Sequence, residues 1–181
     1  MNVRLAALAA LALPVLGCGD GKMTSSYIAL QSDFAAFRTW PRYFVGDGPL
    51  EGHPAGPRYG YLKQKTGDKQ YPVGSLIVKT VERGTTPQDW DVFAMAKRGA
   101  GFNSGGAAGW EFFVLRINAD DVPVIFSRGT NPFDAPPDGG GAGHGYSDPS
   151  GSGITCNRCH GIPGTERNDH ILSVPLAPGA Q

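Results

Sequence analysis

Apolar positions along this chain follow two periods, and the change from one to the other divides it into elements. Residues 5–16 come first, twelve positions without a polar side chain behind a single charge at Arg4. That run is too short to span a bilayer as a helix and has the length of the apolar core of a secretory signal. Next, Ser32 and Asp33 precede Phe34, Phe37 and Trp40 at three-residue spacing, and Pro41 closes the run. This predicts a short helix capped by Ser32 and Asp33. From Arg42 onward the pattern changes to strands and loops. Residues 74–82 are β-branched and bounded by turn residues, and 92–97 form a second candidate strand. Residues 110–117 are the clearest, an apolar run broken only by Glu111 and Arg116. A turn at 118–121 leads into 122–126, which predicts a hairpin, and 59–63 is a further strand candidate. The fold class these elements predict is α+β, mainly β: an antiparallel sheet with a few short helices.

Composition narrows the function classes. The chain has 181 residues with 16 basic and 16 acidic side chains, so its formal net charge is zero. A nucleic-acid binder needs a basic stripe to displace counterions from phosphates, and none is present. Glycine (27) and proline (15) are abundant, which fits a loop-rich domain that still buries a core. No internal repeat is visible, so one domain is expected. Residues 137–153 hold seven glycines in seventeen positions and read as a surface loop or a gate; His144 within it reads as solvated.

The apolar leader ends in Val15-Leu16-Gly17-Cys18, which resembles the processing box of bacterial lipoproteins. On that reading residues 1–17 are a signal peptide of lipoprotein type and Cys18 is the lipidation site. Residues 18–31 are then a tether, and the expected location is the bacterial cell envelope, facing the periplasm and held to a membrane by the lipid. An ordinary signal peptide or an uncut anchor are the alternatives.

Acylation of Cys18 leaves Cys156 and Cys159, in an oxidising compartment. They form Cys156-Asn157-Arg158-Cys159-His160, the C-x-x-C-H pattern of covalent c-type haem attachment. Two thiols three positions apart can each add across one haem vinyl group, and the adjacent His160 then serves as proximal iron ligand. A disulfide, or zinc held with His160 or His170, are the competing readings. Gly161, Pro163 and Gly164 follow at once, so any helix after the motif must be very short or displaced. A strand-rich domain carrying the motif near its C-terminus does not fit the mostly helical small electron-carrier cytochromes.

The order of parts resembles the cytochrome P-460 family, including the related cytochrome c′-beta group. The carriers are Phe37-Arg38-Thr39-Trp40, Arg58 with Tyr61, and Tyr71-Pro72-Val73-Gly74-Ser75-Leu76-Ile77-Val78-Lys79. Met95-Ala96-Lys97, Gly109-Trp110-Glu111-Phe112-Phe113 and the haem motif followed by Asp169 complete them. The resemblance covers most of residues 34–170 and implies that 32–181 is a haem domain with one five-coordinate haem c per chain, assembled as a homodimer. Some members oxidise hydroxylamine, and others bind nitric oxide or carbon monoxide.

In the hydroxylamine-oxidising members a lysine is joined to the haem edge, and the resemblance places it at Lys79. Strand alternation independently sets Ile77, Lys79 and Val81 on one face, where burial would lower the amine's pKa and make it more nucleophilic. The alternative is an edge lysine whose stem packs while its amine reaches water. Where the enzymatic members place a carboxylate, this chain has Phe93, which lines the expected cofactor pocket but cannot accept a proton. Glu82, Asp89 and Asp91 are candidate substitutes, and an apolar lid suits a gas-binding pocket. The expected function is redox chemistry on small nitrogen species, oxidation of hydroxylamine or nitric oxide with electron transfer to a cytochrome. The alternatives are a non-catalytic nitric oxide or carbon monoxide binder, and an electron carrier in which Met95 closes the sixth iron position.

Overall fold

The computed structural model describes residues 25–48, 55–99, 101–130, 132 and 156–179. The leader, Cys18, and the stretch 137–153 with His144 lie outside the described residues.

Within them, six strands form one antiparallel sheet: β1 (Arg42–Gly46), β2 (Arg58–Leu62), β3 (Leu76–Val81), β4 (Asp91–Lys97), β5 (Trp110–Ile117) and β6 (Pro123–Gly129). Each strand pairs with its neighbour in sequence, so the spatial order is β1 to β6. The chain is thus mainly an antiparallel β structure with few short helices, as the patterning predicts. β5 has the expected bounds; the others move by one to three residues. The β5–β6 hairpin turns at Asn118, whose side-chain oxygen accepts the Asp120 and Val122 N–H groups. No strand was singled out at 42–46, because β1 is a partly exposed edge strand with little apolar signal.

The N-terminal helix α1 (Gln31–Phe34) is shorter than the three-residue spacing suggests, and a 3₁₀ turn at Phe37–Thr39 continues the apolar face. The cap also differs from expectation. Asp33 stands inside the first turn and reaches back to accept the Leu30 N–H at 2.7 Å, while also accepting the Tyr27 hydroxyl at 2.7 Å.

Both faces of the sheet are covered. On the first, Phe34 and Phe37 pack on Tyr61, Val78, Ala94, Phe113 and Leu115. On the second, Leu62, Ile77, Met95, Trp110 and Phe112 meet Ile171 and Leu176 from the C-terminal segment. Double coverage explains why β3 and β5 read as almost continuous apolar runs and not as alternation.

Residues 25–30, inside the stretch expected to be a tether, run along the first face. Ala29 is fully buried, the Tyr27 N–H donates to the Arg98 carbonyl, and Arg128 Nη1 donates to the Ala29 carbonyl. Arg128 also grips Glu111 with two bonds, 2.8 and 2.9 Å, and Arg98 lies 3.5 Å from the same carboxylate. Glu111 is only 3% exposed. Glu111→Ala is therefore expected to cost about 3 kcal/mol, because two arginines lose a buried partner; urea unfolding of the purified domain measures it.

Candidate functional site

The second face of the sheet carries the candidate site. The C-terminal segment lies over it: helix α2 (Cys156–His160), then 3₁₀ turns at Thr165–Asn168 and Val174–Leu176. The helix spans the C-x-x-C-H motif itself, and only the brief 3₁₀ turn follows, as Gly161, Pro163 and Gly164 require. Leu176 closes on Gly60 of β2, where an added Cβ would collide with both Leu176 methyl groups. Gly60 is the strand partner of Lys79, so the absence of a side chain there seats the segment beside the lysine.

Sheet register brings the predicted residues to one face. Lys79 is opposite Phe93, and Met95 lies between Ile77 and Phe112. The Lys79 amine is 5.8 Å from the centre of the Phe93 ring. The Phe112 ring is 5.4 Å from the His160 imidazole, and Cys156 packs against the same cluster. Cys156, Cys159 and His160 act electrostatically on Lys79 or are acted on by it. The five predicted pocket residues, Lys79, Phe93, Cys156, Cys159 and His160, thus share one side of the sheet.

The imidazole of His160 is prepared as a ligand. Its Nδ1 lies 2.7 Å from the His170 carbonyl, which makes Nδ1 the protonated nitrogen and leaves the Nε2 lone pair for a metal. Burial pushes its pKa down to about 4, against the opposing pull of that carbonyl, so the ring is neutral near pH 7.

His170 has no such freedom. Its Nε2 accepts the Ala108 N–H at 3.1 Å, and its Nδ1 lies 2.8 Å from the His160 carbonyl and 2.9 Å from Thr165 Oγ1. Both nitrogens are used in holding the segment. No cluster of three His, Cys, Asp or Glu side chains able to hold a metal ion occurs among the described residues, and no disulfide joins Cys156 to Cys159.

Lys79 is partly buried, and its pKa is lowered to about 7, first by desolvation and then by the positive charge of Arg58, while Cys156 and Cys159 pull it back upward. Arg58 entered the sequence reading only as part of a resemblance. It is buried on the same face, two positions from Gly60, and donates to the Gly48 carbonyl.

The three carboxylates considered as substitutes for Phe93 separate clearly. Glu82 turns to the first face, where it accepts from Arg42 at 2.7 Å, Thr80 at 3.0 Å and Tyr61 at 3.1 Å. Asp89 closes its own turn by accepting the Thr86 hydroxyl. Asp91 shares the face of Phe93 but is ion-paired to Arg83 at 2.6 Å.

Two residues that sequence reasoning missed fasten the motif. Asn157 Oδ1 accepts the Ala107 N–H and the Asn103 amide, both at 2.9 Å, and its own amide donates to Asn103 Oδ1 at 2.8 Å. An asparagine at a variable position of the motif carries no signal of this in a single sequence. Close approach completes the clasp: a Cβ on Gly161 would fall 2.8 Å from Gly106 Cα and the Asn157 carbonyl, both backbone atoms that cannot yield. Gly161→Ala is expected to cost about 1–3 kcal/mol and to lift α2 from the 101–109 loop; thermal unfolding checks the first effect.

Comparison of this chain with known protein families, curated proteins and solved structures finds no match in any of the three.

Proposed function

We propose that this chain is a covalent c-type haem protein of cytochrome P-460 type, carrying out redox chemistry on hydroxylamine or nitric oxide and passing electrons to a cytochrome. The observation that carries the reading is an imidazole whose Nδ1 proton is already committed to a carbonyl, next to two cysteines on one helical turn that no disulfide joins. The residues fit a haem. Cys156 and Cys159 would form the thioethers, each thiol adding its sulfur and its proton across one vinyl group, and His160 would hold the iron through Nε2. When bound, the haem supplies a redox couple and an open coordination position.

The chain's own groups then divide the work. Ile77, Phe93, Met95 and Phe112 give an apolar wall that keeps water from the site. Lys79, with its pKa lowered to about 7, keeps a large share of its amine neutral and nucleophilic at neutral pH. That supports the bond to the haem edge implied by the resemblance. The lipid anchor at Cys18, the periplasm-facing location and the homodimer belong to the same proposal. A second reading, nitric oxide or carbon monoxide binding without turnover, is favoured by Phe93 beside Lys79 and by carboxylates that are turned away or paired.

The deciding experiment is production with haem-maturation machinery followed by acid-acetone extraction. Wild-type protein is expected to keep one haem per chain, and a Cys156→Ser, Cys159→Ser double variant to release it. Free extraction from the wild type, or zinc in place of iron, would sink the reading.

A further inference from the structure

His160 owes its tautomer to a carbonyl in an unusual piece of backbone. Asp169 and His170 both have positive φ, 51° and 64°, so two successive residues occupy the left-handed region that costs L-residues energy. Something must hold them there. Asp169 is 2% exposed; its Oδ1 lies 2.5 Å from Lys97 Nζ and its Oδ2 accepts the Tyr71 N–H at 2.9 Å. Lys97, 8% exposed, also donates to the Ala108 carbonyl at 3.3 Å and stands 5.0 Å from the Trp110 ring centre. The same residue returns to the turn, since the Ala108 N–H donates to His170 Nε2. Three parts of the chain, β4, the 101–109 loop and Tyr71, therefore converge on one dipeptide.

Stability alone is a poor explanation for such a pair. Burying two charges costs desolvation energy that an apolar pair of similar volume avoids. What the ion pair supplies is direction. We infer that the buried Lys97–Asp169 pair is the positioning device of His160: it pins the Asp169–His170 turn so that the His170 carbonyl holds the Nδ1 proton and Nε2 remains the donor atom. A carbonyl fixed at that distance also makes the imidazole a stronger electron donor, the role outer partners play at metal-binding histidines. Asp169 and Lys97 are positioning residues. The inference rests on the haem reading for its effect on iron, but the tautomer it specifies is a property of the chain itself.

Two measurements test it. In the haem-free full chain, ¹⁵N shifts of the imidazole should report the Nδ1–H tautomer for wild-type His160 and admixture of Nε2–H in Asp169→Asn. A wild-type Nε2–H tautomer overturns the inference whether or not haem binds. In the haem-loaded chain, Asp169→Asn and Lys97→Gln should both raise the reduction potential and move the iron–histidine stretching band of the reduced protein to lower frequency, with covalent haem retained. Phe37→Leu, in the core of the opposite face, should lower thermal stability and leave potential and band at wild-type values. An unmoved potential and band in both polar variants, or an equal shift in Phe37→Leu, overturns it. If Asp169→Asn does not fold, Lys97→Gln and the wild-type tautomer decide. A wild type without covalent haem defeats the functional proposal and leaves the tautomer result standing by itself.

Discussion

If Lys79 is bonded to the haem as proposed, Lys79→Arg is expected to keep covalent haem and lose the strongly red-shifted Soret band that the bond would give, with hydroxylamine oxidation falling about 10–100-fold, the range for loss of a group that tunes a metal centre. The reason is in the geometry around the amine. Lys79 faces Phe93 across one strand pair and Gly60 across the other, with Arg58 as a neighbouring positive charge. A guanidinium stays charged there and is a poor nucleophile, whereas the lysine is half neutral at a pKa of about 7. Nitric oxide binding at the open iron should persist in the variant. Phe93→Glu sharpens the result, since a carboxylate opposite Lys79 supplies a proton acceptor on the wall that now lacks a free one, and turnover should rise. A wild type with an ordinary c-type spectrum, no hydroxylamine turnover and tight nitric oxide binding would move the assignment to the gas binder.

In the haem-free chain the same side chain should govern stability against pH. The unfolded lysine holds its proton up to 10.5 and the folded one only to about 7. Between those values the unfolded state binds the extra proton, so stability rises with pH across the window, and the cost is fully present below it. Lys79→Met keeps the stem volume and removes the charge. It should be more stable than the parent at pH 6 by up to about 5 kcal/mol, from roughly 1.4 kcal/mol per pH unit over which the two states differ in charge. The advantage should shrink steadily from pH 7 to 10. The measurement is denaturant unfolding at pH 6, 8 and 10 in a Cys156→Ser, Cys159→Ser background, where the thiols cannot pull the amine's pKa upward. A difference that does not vary with pH would contradict the burial of Lys79.

Much of this was legible in the sequence, for reasons that differ by residue. Strand periodicity placed Ile77 and Lys79 together because alternation leaves no choice once β3 is covered on both faces. The motif marks Cys156, Cys159 and His160, since its spacing is chemical, but that α2 spans the motif itself is seen only in the structure. What escaped the sequence depends on contacts between distant segments. Nothing local marks Asn103 as the partner of Asn157, fifty-four positions away, or Lys97 as that of Asp169, seventy-two away. Glu82 was legible as a carboxylate in the right neighbourhood, but one more residue along the strand sends it to the other face. The cap of α1 was misplaced because Asp33 caps from within the helix.

The meander order of the sheet has a kinetic consequence. Pairing each strand with the next keeps sequence separations short, so the sheet can assemble hairpin by hairpin without waiting for remote chain. The segment 156–179 is different: Tyr71 reaches Asp169 across 98 positions and Leu176 across 105, and this stretch follows every strand it packs on. Its docking is expected to come late, on a scaffold already built, and its release to be a sub-global opening that leaves the strands paired. In the haem-free chain, amide exchange should therefore divide into a protected class in β3 to β5 and a faster class after residue 156. On the proposed function, the thiols that would receive the haem sit in the part expected to open, and Lys79 in the part expected to stay closed. Ligation would then be the closing of a hinged leaf over a finished wall, and each covalent bond made there would lock the leaf shut.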